Sequence, residues 1–301
     1  MRRPTTGRHA ASRTSRTNPD RVRDALAVAR NLSKAFLLFA GITALSGGAG
    51  YLLGGYRLVL LFGAAAVLLA GAVYAYGDRA VLGMLGARDL PVGGAPGLHS
   101  TVERLAARAG VPMPRLSLLA DGYPRALTVG RGPGSATVVV GRALLGAVPP
   151  AELEAVLAHE LAHIRSRDVL VQTVAVVLAS TLVELSRIGG FLERALLFVL
   201  GPVASAFVHL LLSPRRELAA DRAAAVICGS PHDLADALLR LERASELVQF
   251  RASPTTEPLY TVNPFASEGL AALFVTHPPV EERVRRLREL DPDWREKLRA
   301  A

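Results

Sequence analysis

Two long runs free of acidic and basic residues dominate the hydropathy pattern of this chain. Ala35 to Leu53 and Leu58 to Tyr76 are each long enough to cross a bilayer as a helix. Gly54-Gly55-Tyr56-Arg57 joins them tightly, so the pattern predicts a transmembrane helical hairpin. A hairpin buried in a soluble protein would not need both runs to be uncharged. The residues before it, 1–30, are rich in Arg, Thr and Ser and lack apolar periodicity; they read as a disordered basic tail. The first apolar run starts too late, and is not followed by a clear cleavage site, so a cleaved signal peptide is not expected.

The period then shortens and changes. Leu98, Val102, Leu105 and Ala109 predict an amphipathic helix over Gly97 to Ala109. Arg115 to Leu119, Ala126 to Val129 and Ala136 to Val140 read as short strands, with Pro133-Gly134 as the hairpin between the last two. Pro149-Pro150 opens a helix with acidic residues in its first turn. Its apolar stripe is Leu153, Val156, Leu157, Leu161 and Ile164, with His159 and His163 off the stripe. Val169 to Val183 and Ala195 to Leu212 are two further apolar segments. Pro231 to Gln249 is amphipathic through Leu234, Leu238, Leu241 and Leu247. Residues 251–268 read as a loop or flap, and Glu281 to Leu290 as a closing helix with a solvated, charge-interleaved face.

Composition supports the membrane reading. Half of the 301 residues are hydrophobic, more than a soluble domain usually carries. The net charge of +9 comes almost wholly from arginine, since Lys34 and Lys297 are the only lysines. A basic chain invites a nucleic-acid reading, but these charges flank the membrane runs and lack interleaved aromatics, so nucleic acid is excluded as a partner. Arg2, Arg3, Arg8, Arg13, Arg16, Arg21, Arg23 and Arg30 precede the first run, and only Arg57 separates the two. The positive-inside rule then puts the N-terminus and everything after Arg79 in the cytosol. The single cysteine, Cys228, excludes an internal disulfide and reads as a small buried hydrophobe.

Candidate chemistry is concentrated in His159-Glu160-Leu161-Ala162-His163, an H-E-x-x-H pattern on the predicted helix. Residues i and i+4 share a helix face, so both imidazoles can reach one metal ion, and Glu160 can take a proton from a water that the ion activates. A catalytic zinc site needs a third protein ligand. A third His six residues after the second is absent, because position 169 is Val. Ser213-Pro214-Arg215-Arg216-Glu217-Leu218-Ala219-Ala220-Asp221 offers Glu217 and Asp221, again at i and i+4. By spacing, one could bind the metal while the other orients a ligand His. Whichever of the two acids binds must meet His159, so the chain between the two helices crosses the membrane twice or not at all. Two crossings are predicted, with Glu184 to Arg194 as the outer turn.

HELAH, SPRRELAAD and Thr276-His277-Pro278-Pro279 followed by Glu281-Glu282-Arg283 resemble, in order, the HtpX-like membrane zinc metalloproteases. These are gluzincins related to the CAAX prenyl endoproteases. Val111-Pro112-Met113-Pro114 and Leu153 to Ala158 also look like that family, and the resemblance covers about residues 30 to 290. It implies one zinc ion held by His159, His163 and Glu217, Glu160 as general base and His277 as an oxyanion helper. Asp221 would then orient a ligand His. It also implies a bacterial, multi-pass membrane endopeptidase that acts at the cytosolic face on misfolded or damaged membrane proteins. One departure stands out. The family usually has Asn-Ala-Phe-Ala before the active-site helix, and this chain has Arg125-Ala126-Leu127-Thr128. Arg125, Ala126 and Leu127 are the candidate substrate-binding residues, but arginine lacks the amide's acceptor.

The predicted fold is an α+β membrane protein. A mostly helical gluzincin-type catalytic domain with a small β-sheet joins the hairpin and two further membrane helices. The expected organisation is a basic tail over 1–30, the hairpin over 31–78, and a cytosolic domain over 79–301 interrupted by the helix pair at about 169–212. The rival reading is a non-proteolytic membrane scaffold that retains a zinc site. A prenyl-peptide endoprotease is a second rival, for which two to four spans make too small a membrane chamber.

Overall fold

The computed structural model describes residues 19–120, 122–187, 193–247, 254–259 and 276–291. Two apolar helices open it: α1 (Pro19–Gly54) and α2 (Tyr56–Leu85). Both are long and apolar enough to cross a membrane, α1 over Val28–Gly54. Their large side chains face outward, as with Leu52 at 86% and Leu68 at 75% exposure, which suits lipid rather than water. Gly55 turns the chain between them at φ 70°, a left-handed conformation that glycine adopts without strain. Gly50 of α1 is equally constrained, since a Cβ there would lie 2.4 Å from the carbonyl oxygen of Leu58 on α2.

Both helices run further than their apolar runs. α1 begins at Pro19, inside the stretch expected to be a disordered tail. α2 continues past Asp78 to Leu85 because its end docks into the catalytic domain. Gly77 faces Thr173 and Val177, and buried Asp78 lies 3.8 Å from Arg131 Nε and 3.9 Å from an Arg115 guanidinium nitrogen.

The sheet has the order β1-β2-β4-β3, from β1 (Arg88–Asp89), β2 (Arg115–Leu119), β3 (Ala126–Val129) and β4 (Thr137–Gly141). β3 and β4 form the expected antiparallel hairpin, with Ala126 opposite Val140, turning through a short 3-10 segment at Pro133–Ser135. β4 then lies parallel to β2, and two-residue β1 pairs antiparallel with β2. Alternating side chains enter two different cores. Ala126, Val138 and Val140 join Leu105, Leu157 and Leu161 on one side. Leu127, Val129 and Val139 join Val81, Val176 and Leu259 on the other. Burial on both faces explains why β4 reads as an unbroken apolar run.

The first core is built by α3 (Pro96–Ala109), α4 (Arg142–Ala147), α5 (Pro150–Arg165), α8 (Pro214–Cys228), α9 (Pro231–Leu247) and α10 (Val280–Arg288). α5 is buried all round from Ala155 to Ile164, so burial extends beyond the apolar stripe and includes His159 and His163. Alanines at 155, 158 and 162 let neighbouring helices approach it. At its end the chain bends by 87° into α6 (Asp168–Arg187), through Arg167 at φ 58°. α6 and α7 (Glu193–Leu211) pack against α1 through Leu38, Val174, Ala204, Val208 and Leu211.

Three further expectations change. Pro254–Leu259, inside the expected flap, is a 3-10 turn with Thr255, Thr256 and Leu259 buried; residues 260–268 lie outside the described residues. Much of the turn expected at Glu184 to Arg194 also lies outside them. The closing helix does not simply present a solvated face, because Arg283 is fully buried beside Val280, Val284 and Leu287. Cys228 is half-buried rather than fully enclosed.

Gly50→Ala should lower the thermal midpoint in detergent, at a cost of about 1–3 kcal/mol for forced overpacking. Gly41→Ala, where nothing lies within 4 Å of the added methyl, should be silent. Equal behaviour of the two variants would refute the close approach at the hairpin turn.

Candidate active site

α5 presents His159 and His163 one turn apart, with ring centroids 4.7 Å apart and planes perpendicular. Their Nε2 atoms face each other at 3.1 Å. α8 crosses this face and brings Glu217, in its first turn, to both rings. Glu217 Oε2 lies 3.5 Å from His159 Nε2, and Oε1 lies 3.7 Å from His163 Nε2. Ligands at ordinary zinc bond lengths on a tetrahedral ion stand about 3.3 Å apart, so these separations match a single-ion site. All three side chains are buried. Glu217 Oε2 accepts no well-directed hydrogen bond among the described residues, as suits a metal ligand. The donor set, two imidazoles and a carboxylate, fits zinc.

Each imidazole has its own carboxylate behind it. Asp221, one turn after Glu217, places Oδ1 3.0 Å from His159 Nδ1. Asp168, the first residue of α6, places Oδ2 3.3 Å from His163 Nδ1. Both contacts favour a proton on Nδ1, which leaves Nε2 of each ring to the ion. Asp221 in turn accepts two hydrogen bonds from Arg283, Nε to Oδ2 at 2.8 Å and a terminal nitrogen to Oδ1 at 2.7 Å. Burial opposes ionisation of Asp221, yet Arg283 prevails and holds it at about 2. Removing one partner from such a buried pair costs about 3–5 kcal/mol.

Glu160 is buried on the same helix, and Thr128 Oγ1 donates to its Oε2 at 2.8 Å. The His277 side chain, 3% exposed, puts Nε2 3.5 Å from Glu217 Oε2. Arg216 donates to Glu217 Oε1 at 2.8 Å. Burial opposes a charge on Glu217, but His277, His163 and Arg216 hold its carboxyl well below the usual carboxylate range.

The structure therefore gathers His159, His163, Glu217, Asp221, Glu160 and His277 around one point. Ala126 and Leu127 open β3, an edge strand of the described sheet that contacts α5, and Arg125 immediately precedes it. The side chains of Ala126 and Leu127 are sealed in the two cores, so any contact they make with substrate is through backbone. Arg125 is only 5% exposed, and its carbonyl accepts from Gly141 N–H at 2.8 Å. Asp168, Thr128, Arg216 and Arg283 were not singled out from sequence. A signal existed for Arg283, which falls on the apolar face of its helix with Val280, Val284 and Leu287. Thr128 was visible as a departure from the family's Ala. Asp168 depends on the bend at Arg167, which no local pattern announces.

A buried H-E-x-x-H helix met by a carboxylate from a second helix, mounted on an apolar hairpin, defines a membrane metallopeptidase. Sequence comparison agrees, with residues 94–291 matching the model of peptidase family M48. The chain is 39% identical over 271 residues to a protease HtpX homologue of Pyrococcus abyssi, covering 84% of this chain and 94% of that one. It is 40% identical over 270 residues to one of Salinibacter ruber, covering 86% and 98%. Among solved structures it resembles S. mikatae Ste24p at 18% identity and TM-score 0.45, over 89% of this chain and 65% of that one. The chain belongs to peptidase family M48 and, within it, to the HtpX-like metalloendopeptidases.

Burial opposes protonation of His163, but Glu217 and Asp168 outweigh it and raise the imidazole to about 10. Below that value the metal-free ring holds a proton that an incoming ion must displace. Apparent zinc affinity should therefore fall as pH drops from 8 to 6, about tenfold per unit for each proton released. Chelator competition at several pH values measures this, and a flat profile would contradict it.

Proposed function

We propose that this chain is a zinc endopeptidase that cleaves misfolded or damaged membrane proteins at the cytosolic face of a bacterial membrane. The observation that carries the reading is Glu160, buried within the same cluster as three donors that fit one zinc ion. When bound, zinc polarises the scissile carbonyl and lowers the pKa of water toward neutrality. Glu160 accepts the proton of the attacking water and delivers it to the leaving amine. Thr128 holds one Glu160 oxygen by a hydrogen bond and so restrains the carboxylate. His277 donates to the developing oxyanion. Asp221 and Asp168 hold the ligand imidazoles in orientation.

A peptide lying along β3 in extended form would pass beside α5, the geometry of strand addition. Arg125 then supplies a fixed positive charge and only donors where relatives carry an amide, which favours substrate carbonyls or acidic groups. The arginines ahead of the apolar run of α1, and Arg79 near the end of α2, support a cytosolic site. α6 and α7 complete the membrane unit as a second pair of crossings in this reading. The non-proteolytic scaffold is disfavoured because a structural zinc site is normally closed by four ligands, and three residues group in this way among the described residues.

The deciding experiment pairs metal analysis with peptide cleavage on one detergent preparation. Glu160→Gln should keep zinc and lose about 100- to 10,000-fold in rate, the span expected for removal of a general base. Glu217→Ala should lose both. Cleavage at wild-type rate by Glu160→Gln would sink the mechanism, and a zinc-loaded wild type without peptidase activity would favour the scaffold.

Arg125 generates a separate expectation. Arg125→Ala should lower kcat/KM on acidic peptides more than on neutral ones, while Arg125→Asn should preserve cleavage of neutral peptides. Identical ratios in both variants would remove Arg125 from substrate contact.

A further inference from the structure

α1 carries few polar residues within its apolar span, and two of them reach the catalytic domain. Asn31, 5% exposed, donates through Nδ2 to Asp168 Oδ1 at 2.5 Å and to the carbonyl oxygen of Ser166 at 3.1 Å. Asp168 Oδ2 accepts from Ser166 Oγ at 2.6 Å and meets His163 Nδ1 at 3.3 Å. An unbroken line of contacts thus runs from a membrane helix to a metal-ligand imidazole. One turn further along α1, Lys34 donates to the carbonyl oxygen of Leu211 at 3.0 Å. Leu211 ends α7, just before α8 presents Glu217. The two side chains hold the chain after one ligand helix and before the other.

Two physical arguments make this more than incidental packing. A buried amide in an apolar helix is unfavourable unless its donors are satisfied, and both Asn31 N–H groups have acceptors here. The acceptors also sit at the 87° corner, where Arg167 is held at φ 58°, a conformation unfavourable for a side chain that size. Such a corner persists only when its surroundings over-determine it. Asn31 grips the residue on either side of Arg167, and that corner aims Asp168 back at His163.

We propose that Asn31 is a positioning residue of the metal centre: acting through Asp168, it fixes the tautomer and orientation of His163, which makes the first membrane helix part of the metal site. This rests on the metal reading above. The test uses full-length protein in detergent, zinc affinity by chelator competition, and the absorption spectrum of the cobalt-substituted form. Asp168→Ala should weaken zinc by about 10- to 100-fold, and Asn31→Ala by about tenfold with an altered cobalt spectrum. The double variant should match Asp168→Ala alone, because both changes interrupt one line. Ser33→Ala, an exposed position on the same helix, should bind as wild type. Asn31→Gln, which keeps both N–H donors, should recover part of the loss.

Wild-type affinity and spectrum in Asn31→Ala would overturn the proposal, as would losses that multiply in the double variant. If Asn31→Ala does not fold, Asn31→Ser decides: one donor in place of two should give an intermediate affinity, and an unchanged value would overturn it. A wild type that binds neither zinc nor cobalt would instead overturn the metal reading itself.

Discussion

Charge buried out of water is the constraint on which this structure turns. Glu160, Glu217, Asp168 and Asp221 are all almost completely enclosed, as are His159 and His163. An ionised carboxylate in such surroundings is unfavourable by several kcal/mol unless partners replace its hydration. Each of the four has them. Arg283 forks onto Asp221, Arg216 meets Glu217, Ser166 and Asn31 converge on Asp168, and Thr128 reaches Glu160. These partners come from α10, α8, the α5–α6 corner, α1 and β3. The fold around the site is in large part the arrangement that delivers them, and the apolar cores hold those elements at the required distance.

The same constraint explains how far the sequence could be read. Hydrophobic runs and periods located α1, α2, α3, the β3–β4 hairpin, α5 and α9, because each depends on local pattern. The central ligand set was legible because H-E-x-x-H forces its own geometry on a helix. What escaped were the compensating partners. Arg283 looked like one more charge in a charged helix, though its spacing from Val280, Val284 and Leu287 placed it on the buried side. Asp168 stands just before the apolar segment that begins at Val169 and belongs to no pattern. Asn31 lay at the edge of a stretch assigned to a membrane span. Each owes its role to a contact across many residues, such as the 137-residue separation of Asn31 from Asp168. Local periodicity carries no record of such contacts.

The hairpin is correspondingly more than an anchor. Its outer half is bare apolar surface, as lipid requires. Its inner half is woven into the catalytic domain, by Asn31, Lys34 and Leu38 on α1 and by Gly77, Asp78 and Val81 on α2. Val169 to Val176, the first part of α6, is likewise buried within protein, so its apolar residues serve packing there rather than lipid contact.

The distribution of the site along the chain also bears on biosynthesis. The ligands span residues 159 to 217, their supports begin at Asn31, and the guanidinium that neutralises Asp221 belongs to Arg283. Long-range closures of this kind form late, after the local helices and hairpins. During vectorial synthesis the hydrolytic centre cannot be complete until residue 283 has left the ribosome and docked on α8. The set of contacts that supports the ligand residues is therefore closed only when the last described helix is in place.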